Sequence, residues 1–184
     1  MSKVVIVSGS PNPESRLTGI IRHAERRLIG ASVYAGHIEV AALPAEDLIL
    51  ARFDSPAVVE ANAKIADADA IVIASPVYKA SYTGVLKTYL DLLPQKALAG
   101  KIVAPLFLGG SFAHLLAIDY SLKPVLSALG ANRFSGSVYA VDNQITRMKE
   151  ENGDLRYELE AELSSRLDQA LNDLFNQLEV GQYA

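Results

Sequence analysis

The 184-residue sequence contains no cysteine. This absence excludes disulfides, thiolate metal sites, dithiol redox chemistry and a cysteine nucleophile. A redox role would therefore require a cofactor to carry the electrons. The sequence also lacks an excess of basic residues, since its formal net charge is -4. Nucleic acid is disfavoured as a main partner because no broad positive field is available to hold a phosphate backbone.

Long apolar runs are also missing. The most apolar stretch, residues 102–118, is interrupted by proline, glycine, serine and histidine, which is typical of a strand, a loop and a helix start rather than a membrane span. The apolar run at residues 4–7 is too short for a secretory signal. With 50% hydrophobic residues and no long polar tract, we expect one compact domain over residues 1–184, located in the cytoplasm.

Three short runs that are apolar at nearly every position predict strands buried on both faces of a parallel sheet. These runs are Val4–Ser8, Ala70–Ser75 and Ile102–Leu108. Weaker strands are expected at Ile38–Leu43 and Phe134–Val141. Because helical spacing separates the runs, the pattern predicts a doubly wound α/β fold whose five-stranded parallel sheet has the order 2-1-3-4-5.

The second half of the chain predicts two further helices and one loop. One helix is expected over His114–Leu129, where Pro124 either kinks the helix or ends its first part. The closing helix is expected over Tyr157–Leu178, with leucines along one stripe. The polar segment Thr146–Arg156 is turn-rich and predicts a surface loop.

The loop after the first strand, Ser8–Thr18, combines hydroxyl side chains, Gly9 and Arg16. Backbone N–H groups at a helix start, serine hydroxyls and a guanidinium together suit a phosphate group. The loop lacks the Gly-Lys-Ser/Thr ending of a Walker motif and the glycine spacing of a Rossmann dinucleotide site. The alternative is a set of turn formers that also caps the first helix.

Two further loops end strands at the same predicted edge, where open α/β sheets bind ligands. In Ser75–Gly84, a flat ring could pack against Val77 and Tyr78, although the tyrosines could instead fold back onto the core. In the next loop, Gly109 and Gly110 let the backbone approach a ligand. This loop nearly matches a hydrolase elbow, but Ala113 replaces the last glycine and no acid and histidine pair follows, so a serine hydrolase is disfavoured.

These loops resemble those of the NADPH-dependent FMN reductase family, which has a flavodoxin-like fold, a GSP-type phosphate loop and a P-V-Y loop. The resemblance narrows to the flavin reductase components of two-component alkanesulfonate monooxygenases and extends from the first strand to about Asn143. The segments that carry it are Ala45–Leu48, Ala51–Pro56, Pro76–Ala80, Leu86–Thr88, Leu90–Pro94, Ala113–Ala117, Asp119–Tyr120 and Leu122–Leu129.

The resemblance implies the residues that would bind FMN. The phosphate would be held by Ser10, Ser15, Arg16, Leu17 and Thr18. The isoalloxazine would be flanked by Pro76, Val77, Tyr78, Lys79 and Ser81. The pyrimidine edge would meet Gly109, Gly110 and Ser111, while Asp142 would close the site. Tyr120 matches an inserted tyrosine that forms a π-helical bulge at a tetramer interface in the family, which implies a modulating role.

The implied reaction is hydride transfer from NADPH to FMN, with no catalytic protein base and no metal. Reduced FMN would then pass to a partner monooxygenase in sulfonate sulfur acquisition, and the enzyme would form a homodimer or homotetramer. Two alternatives use the same loops: a flavin-retaining NAD(P)H reductase of quinones, azo dyes or metal oxyanions, and a flavodoxin-type electron carrier. The sequence leaves open the preference for NADPH over NADH.

Overall fold

A computed structural model describes the backbone of residues 2–181 and the side chains of residues 2–179. Its strands are β1 (Val4–Ser8), β2 (Tyr34–Glu39), β3 (Ala70–Pro76), β4 (Ile102–Gly109), β5 (Arg133–Phe134), β6 (Val138–Val141), β7 (Ile145–Lys149) and β8 (Leu155–Leu159). Its α-helices are α1 (Leu17–Gly30), α2 (Ala45–Ile49), α3 (Pro56–Asp67), α4 (Gly84–Leu90), α5 (Lys123–Ala128) and α6 (Ala161–Gly181).

The main sheet confirms the predicted flavodoxin-like order. Strands β2, β1, β3 and β4 are neighbours in that order and run parallel, and β5 and β6 both pair with β4 at the far edge. The central strands β1, β3 and β4 are buried at every position. Helices on both faces explain this burial, because apolar side chains alternate between a core cluster beside α3, α4 and α5 and a second cluster beside α1 and α6.

The fifth strand position is split, so the prediction of one strand over Phe134–Val141 is wrong in its continuity. The break contains Gly136, whose backbone N–H donates to the Asp173 carboxylate at 2.8 Å instead of to a strand. A Cβ on this glycine would lie 3.1 Å from the Cα of Ala170 in α6. The close approach of α6 therefore accounts for the interruption.

The predicted surface loop over Thr146–Arg156 is also wrong. This segment contributes most of an antiparallel hairpin in which β7 pairs with β8. In β8, Arg156 and Glu158 alternate with Tyr157 and Leu159, which pack with Ile145 towards the α1 and α6 side of the core. One face of the hairpin is exposed to solvent, so many of its residues are polar and its composition resembles that of a loop. The last helix consequently begins at Ala161 rather than at Tyr157.

The predicted helix over His114–Leu129 is broken into three parts. A short 3-10 turn covers Phe112–His114, a π-helix covers Ile118–Leu122, and α5 follows with Pro124 at its second residue. Proline is tolerated there because the first helical N–H groups have no partner within the helix. Tyr120 therefore lies in a π-helix, as the resemblance implied.

Strand β2 begins and ends earlier than predicted. It covers Tyr34–Glu39 rather than Ile38–Leu43, and a 3-10 turn occupies Val40–Ala42. The edge position of β2 leaves five of its six residues partly or fully exposed, so its apolar signal was weak. Within residues 2–181, no helix is long and apolar enough to cross a membrane.

Candidate functional site

Three loops meet where β1, β3 and β4 end, as the sequence predicted. We call residues 9–18 the phosphate loop, residues 78–81 the tyrosine turn and residues 109–112 the glycine loop. The Gly9 N–H donates to the Ala74 carbonyl at 2.8 Å, and the Val77 N–H donates to the Leu108 carbonyl at 2.7 Å. These bonds continue the sheet pairing past the strand ends and hold the three loops side by side.

Thr83 joins the phosphate loop to the helix that follows the tyrosine turn. Its hydroxyl donates to the Gly9 carbonyl at 2.5 Å and accepts the Leu86 N–H at 3.1 Å, so it also caps α4. Its own N–H donates to the Ser75 hydroxyl at 3.1 Å. A Cβ on Gly9 would lie 2.5 Å from the Leu86 Cβ, so this approach requires glycine.

Internal hydrogen bonds shape the phosphate loop. The Ser10 hydroxyl donates to the Asn12 carbonyl at 2.8 Å, and the Thr18 hydroxyl donates to the Pro13 carbonyl at 2.7 Å. The Ser15 hydroxyl accepts the Leu17 N–H at 3.2 Å. Leu17 itself is fully buried in the core, so only its main chain faces the loop. The serine and threonine side chains thus form the turn that would surround a phosphate.

Two guanidinium groups border the phosphate loop. The Nε of Arg16 donates to the Ile145 carbonyl at 3.0 Å, and Nη1 of Arg147 donates to the Glu14 carbonyl at 2.7 Å. Each arginine therefore binds the backbone of the segment that carries the other. In the described part of the chain, neither arginine has a carboxylate within ion-pair distance.

The other side of the phosphate loop is acidic. A cavity of about 420 Å³ lies there, and its polar lining includes Ser10, Thr18, Arg22, Glu25, His37 and Glu39. Burial lowers the pKa of His37 below its ordinary value of 6.5, so its ring is neutral at pH 7, and the charge of Arg22 then offsets only one of the two carboxylates that line the cavity. A phosphate group is therefore favoured on the arginine side of the loop.

The tyrosine turn has an unusual backbone. Tyr78 and Ser81 exchange backbone hydrogen bonds at 2.8 and 3.2 Å. Between them, Lys79 and Ala80 have φ angles of 50° and 65°. Two consecutive positive angles cost residues with a Cβ about 1–2 kcal/mol each, and such strain clusters at functional sites. Within residues 2–181, the N–H groups of Lys79 and Ala80 meet no backbone acceptor.

Tyr139 supports the glycine loop from β6. Its hydroxyl donates to the Ser111 carbonyl at 2.9 Å, and a Cβ on Gly109 would lie 2.0 Å from that hydroxyl oxygen. Only glycine fits above the phenol. Burial, and to a smaller extent Asp142, raises the pKa of Tyr139, so the hydroxyl stays a donor at neutral pH.

Asp142 follows β6 and reaches the glycine loop. Its carboxylate lies 4.0 Å from the position of a Cβ on Gly110. Gly110 and Ser111 are exposed, whereas Gly109 is buried. The loop therefore presents bare backbone at Gly110 with a carboxylate beside it, which suits the polar edge of a ring.

In the described part of the chain, no hydrogen bond or ring contact joins Tyr120 to these three loops. It is 78% exposed and belongs to a run of exposed apolar side chains between the glycine loop and α5. We call this run the apolar segment, and its exposed members are Phe112, Leu115, Leu116 and Tyr120. The ring of Phe112 lies 6.2 Å from that of Tyr139, so the segment begins beside the glycine loop.

The residues present fit a ligand with a phosphate at one end and a flat ring at the other. The phosphate loop provides a turn with two guanidiniums, Tyr78 provides a 53% exposed aromatic face, and the glycine loop provides open backbone. Sequence reasoning missed Thr83, Tyr139 and Arg147 because their partners are 74, 28 and 133 residues away. The polar residues around Arg147 form no motif that indicates a binding site, and only their charge is evident in the sequence.

Several known proteins are similar to this chain in sequence. Residues 2–146 match the family described as NADPH-dependent FMN reductase. The chain is 43% identical to FMN reductase (NADPH) of Escherichia coli over 176 residues, which cover 96% of this chain and 90% of that one. It is 48% identical to FMN reductase (NADPH) of Pseudomonas putida over 142 residues, covering 77% and 72% of the two chains.

Solved structures agree with the fold. The apo crystal structure of the NADH:FMN oxidoreductase EMOB superposes with a TM-score of 0.81 at 36% identity, covering 95% of this chain and 88% of that one. An oxidoreductase of Corynebacterium diphtheriae, at 27% identity and a TM-score of 0.73, shares the fold over 94% of each chain.

Proposed function

The chain belongs to the NADPH-dependent FMN reductase family, and we propose that it uses NADPH to reduce FMN bound across the three loops. The observation that carries this proposal is the junction of the phosphate loop, the tyrosine turn and the glycine loop at one sheet edge. Binding outside the carboxyl ends of parallel strands is the general rule for such folds.

Each loop has its own part in binding. The phosphate is assigned to the hydroxyls of Ser10, Ser15 and Thr18, the guanidinium of Arg16 and the main chain at Leu17. The Ser10 and Thr18 hydroxyls would exchange their bonds to the Asn12 and Pro13 carbonyls for bonds to the phosphate, because each has one proton to donate. The isoalloxazine is assigned to the second loop, namely Pro76, Val77, Tyr78, Lys79 and Ser81. Its pyrimidine edge is assigned to Gly109, Gly110 and Ser111, with Asp142 at the margin. This division follows from the anion-binding chemistry of the first loop and the open backbone of the third.

Bound FMN would supply the chemistry of accepting a hydride from the nicotinamide of NADPH. The protein's own groups bind and orient. Lys79 and Ala80 are exposed, and their N–H groups have no backbone acceptor within residues 2–181. These N–H groups are therefore free to donate to the polar edge of a ring and to stabilise negative charge there, as the donors of an oxyanion site do. Thr83 and Tyr139 fix the loops so that these donors are in place beforehand. No side chain needs to act as a general base.

We further propose that reduced FMN leaves the site and supplies a partner monooxygenase in sulfonate sulfur acquisition. The exposed face of Tyr78 supports this step, because a flavin that contacts one half-exposed aromatic ring is not enclosed. The choice of a monooxygenase as the partner rests on the segments that resemble the flavin reductase components of alkanesulfonate monooxygenase systems. In a flavodoxin-type carrier, by contrast, we expect a ring held between two aromatics.

A second copy of this chain is proposed to cover the apolar segment. Four large apolar side chains lie exposed within residues 112–120. A contiguous exposed apolar patch marks an interaction surface in proteins of this size. The π-helix supports this assignment because such irregularities cluster at functional positions.

The test is to follow NADPH oxidation by the purified protein while free FMN is raised far above the enzyme concentration. We expect a rate that saturates with FMN, and the same assay with NADH in place of NADPH gives the coenzyme preference. Oxidation that needs a quinone, an azo dye or a metal oxyanion would instead identify a flavin-retaining reductase. No oxidation with any acceptor, despite bound FMN, would identify an electron carrier.

A further inference from the structure

The β7–β8 hairpin lies almost entirely beyond the segment that defines the family. The family match ends at residue 146, so Arg147 is the first residue past it. Strand β7 nevertheless starts beside the phosphate loop, because Arg16 binds the carbonyl of Ile145. An element beyond the reach of the family model therefore borders a site built by residues within it.

The hairpin is firmly attached to α1. The Arg22 guanidinium donates to the Leu155 carbonyl at 2.9 Å and lies 5.4 Å from the centre of the Tyr157 ring. A Cβ on Gly19 would be 2.8 Å from the Tyr157 Cβ, so strand and helix approach as closely as glycine permits. These contacts fix the hairpin against the helix whose N-terminus ends the phosphate loop.

Arg147 stands on the face of β7 that reaches the phosphate loop. It follows the buried Ile145 by two residues and therefore shares its side of the strand. One of its five N–H groups binds the Glu14 carbonyl at 2.7 Å, and in the described part of the chain no carboxylate neutralises it. Its charge remains available to an anion at the loop.

We propose that Arg147 is a specificity-determining residue that makes the enzyme prefer FMN to riboflavin, the same flavin without a phosphate. This inference rests on the proposed function, because it takes the phosphate loop as the site of the FMN phosphate. Arg147 acts in two ways: it holds the loop through the Glu14 carbonyl, and it adds a second guanidinium beside Arg16. Charge-assisted hydrogen bonds to phosphate are the strong ones in proteins.

The experiment measures the dissociation constants of FMN and riboflavin by quenching of flavin fluorescence, for the wild-type chain and three variants. Arg147→Gln removes the charge, and Arg147→Lys keeps it without the planar group. Arg156→Gln is the matched control, because Arg156 lies on the same hairpin but pairs with Glu158 at 2.7 Å. Thermal unfolding of each variant checks that the exposed substitutions leave the fold intact.

We expect Arg147→Gln to weaken FMN binding about tenfold and to leave riboflavin binding unchanged. Arg147→Lys should weaken FMN binding less than Arg147→Gln does, and Arg156→Gln should bind FMN as tightly as the wild type. Added salt should reduce the difference in FMN affinity between the wild type and Arg147→Gln. Equal weakening of both flavins, unchanged FMN binding, or the same loss in Arg156→Gln would each overturn the proposal. A chain that binds FMN with this preference but does not oxidise NADPH would refute the proposed function alone.

Discussion

The phosphate loop follows β1 and the apolar segment follows β4, at the same edge of the sheet. The two regions differ in how many of their groups already have partners within the chain. In the phosphate loop, hydroxyls bind the loop's own carbonyls and Thr83 locks Gly9 from outside. In the apolar segment, the backbone passes through a 3-10 turn and a π-helix, and large side chains face outwards. One region is preorganised, whereas the other has the composition of an interface.

This difference assigns separate tasks to the two regions. A preorganised loop binds a ligand without a cost of ordering at the moment of binding. Exposed apolar side chains gain free energy only when another surface covers them. Substitutions in the first region should therefore change flavin affinity and folding stability, whereas substitutions in the second should change the oligomeric state.

The largest effect is expected from Gly9→Ala. The new Cβ would lie 2.5 Å from the Leu86 Cβ, so either the phosphate loop or α4 must shift. Overpacking of this kind costs about 1–3 kcal/mol in the free energy of unfolding. Chemical denaturation should show this loss together with a raised KM for FMN. Gly84→Ala is the control, because nothing lies within 4 Å of its Cβ position.

Thr83→Val should have the next largest effect. It keeps the shape of the side chain but removes the α4 cap and leaves the Gly9 carbonyl without its partner. We expect a loss of about 1–3 kcal/mol in the free energy of unfolding, measured by denaturation. Thr88→Val removes a hydroxyl bound only to the Val85 carbonyl of the same helix. If this control variant lost as much stability, the link between the loops would not be the cause.

Tyr139→Phe tests the support beneath the glycine loop. The ring stays, and only the hydrogen bond to the Ser111 carbonyl is lost. We expect KM for FMN to rise about five- to tenfold, as for one hydrogen bond of about 1 kcal/mol, while kcat changes less. Tyr89→Phe removes a buried hydroxyl that has no partner in the described part of the chain and should change neither constant. A kcat loss without a KM change would contradict a positioning role.

Tyr120→Ala should have the smallest effect on flavin affinity and a clear effect on assembly. Tyr120 is the most exposed of the large apolar residues, so its removal reduces the area that a second copy could cover. Light scattering coupled to size exclusion should show a lower mass than the wild type at equal concentration. Ile29→Ala, an exposed residue on α1, should leave the mass unchanged. An unchanged mass in Tyr120→Ala would remove this residue from the proposed interface.

The sequence predicted the parts of the fold whose causes are local. Buried parallel strands produce continuous apolar runs, so β1, β3 and β4 were located to within one residue. The hairpin was missed because its two strands have one solvated face and because it packs against α1, which is distant in sequence. The split at Gly136 was missed because it depends on the approach of α6, which is distant in sequence.

The same division holds for the candidate site. Gly9, Tyr78 and Gly110 lie in loops with recognisable composition. The residues that hold those loops, Thr83 and Tyr139, look ordinary in sequence and became visible only through contacts across the sheet edge. Long-range hydrogen bonds leave no periodic pattern, so a single sequence cannot reveal them.

A crystal structure of the chain with FMN would test the central claim most directly. We expect the phosphate to bind within the phosphate loop on the side of Arg16 and Arg147, and the ring to lie against Tyr78 and Gly110. A phosphate in the cavity lined by Glu25 and Glu39, or a flavin away from the three loops, would contradict the account.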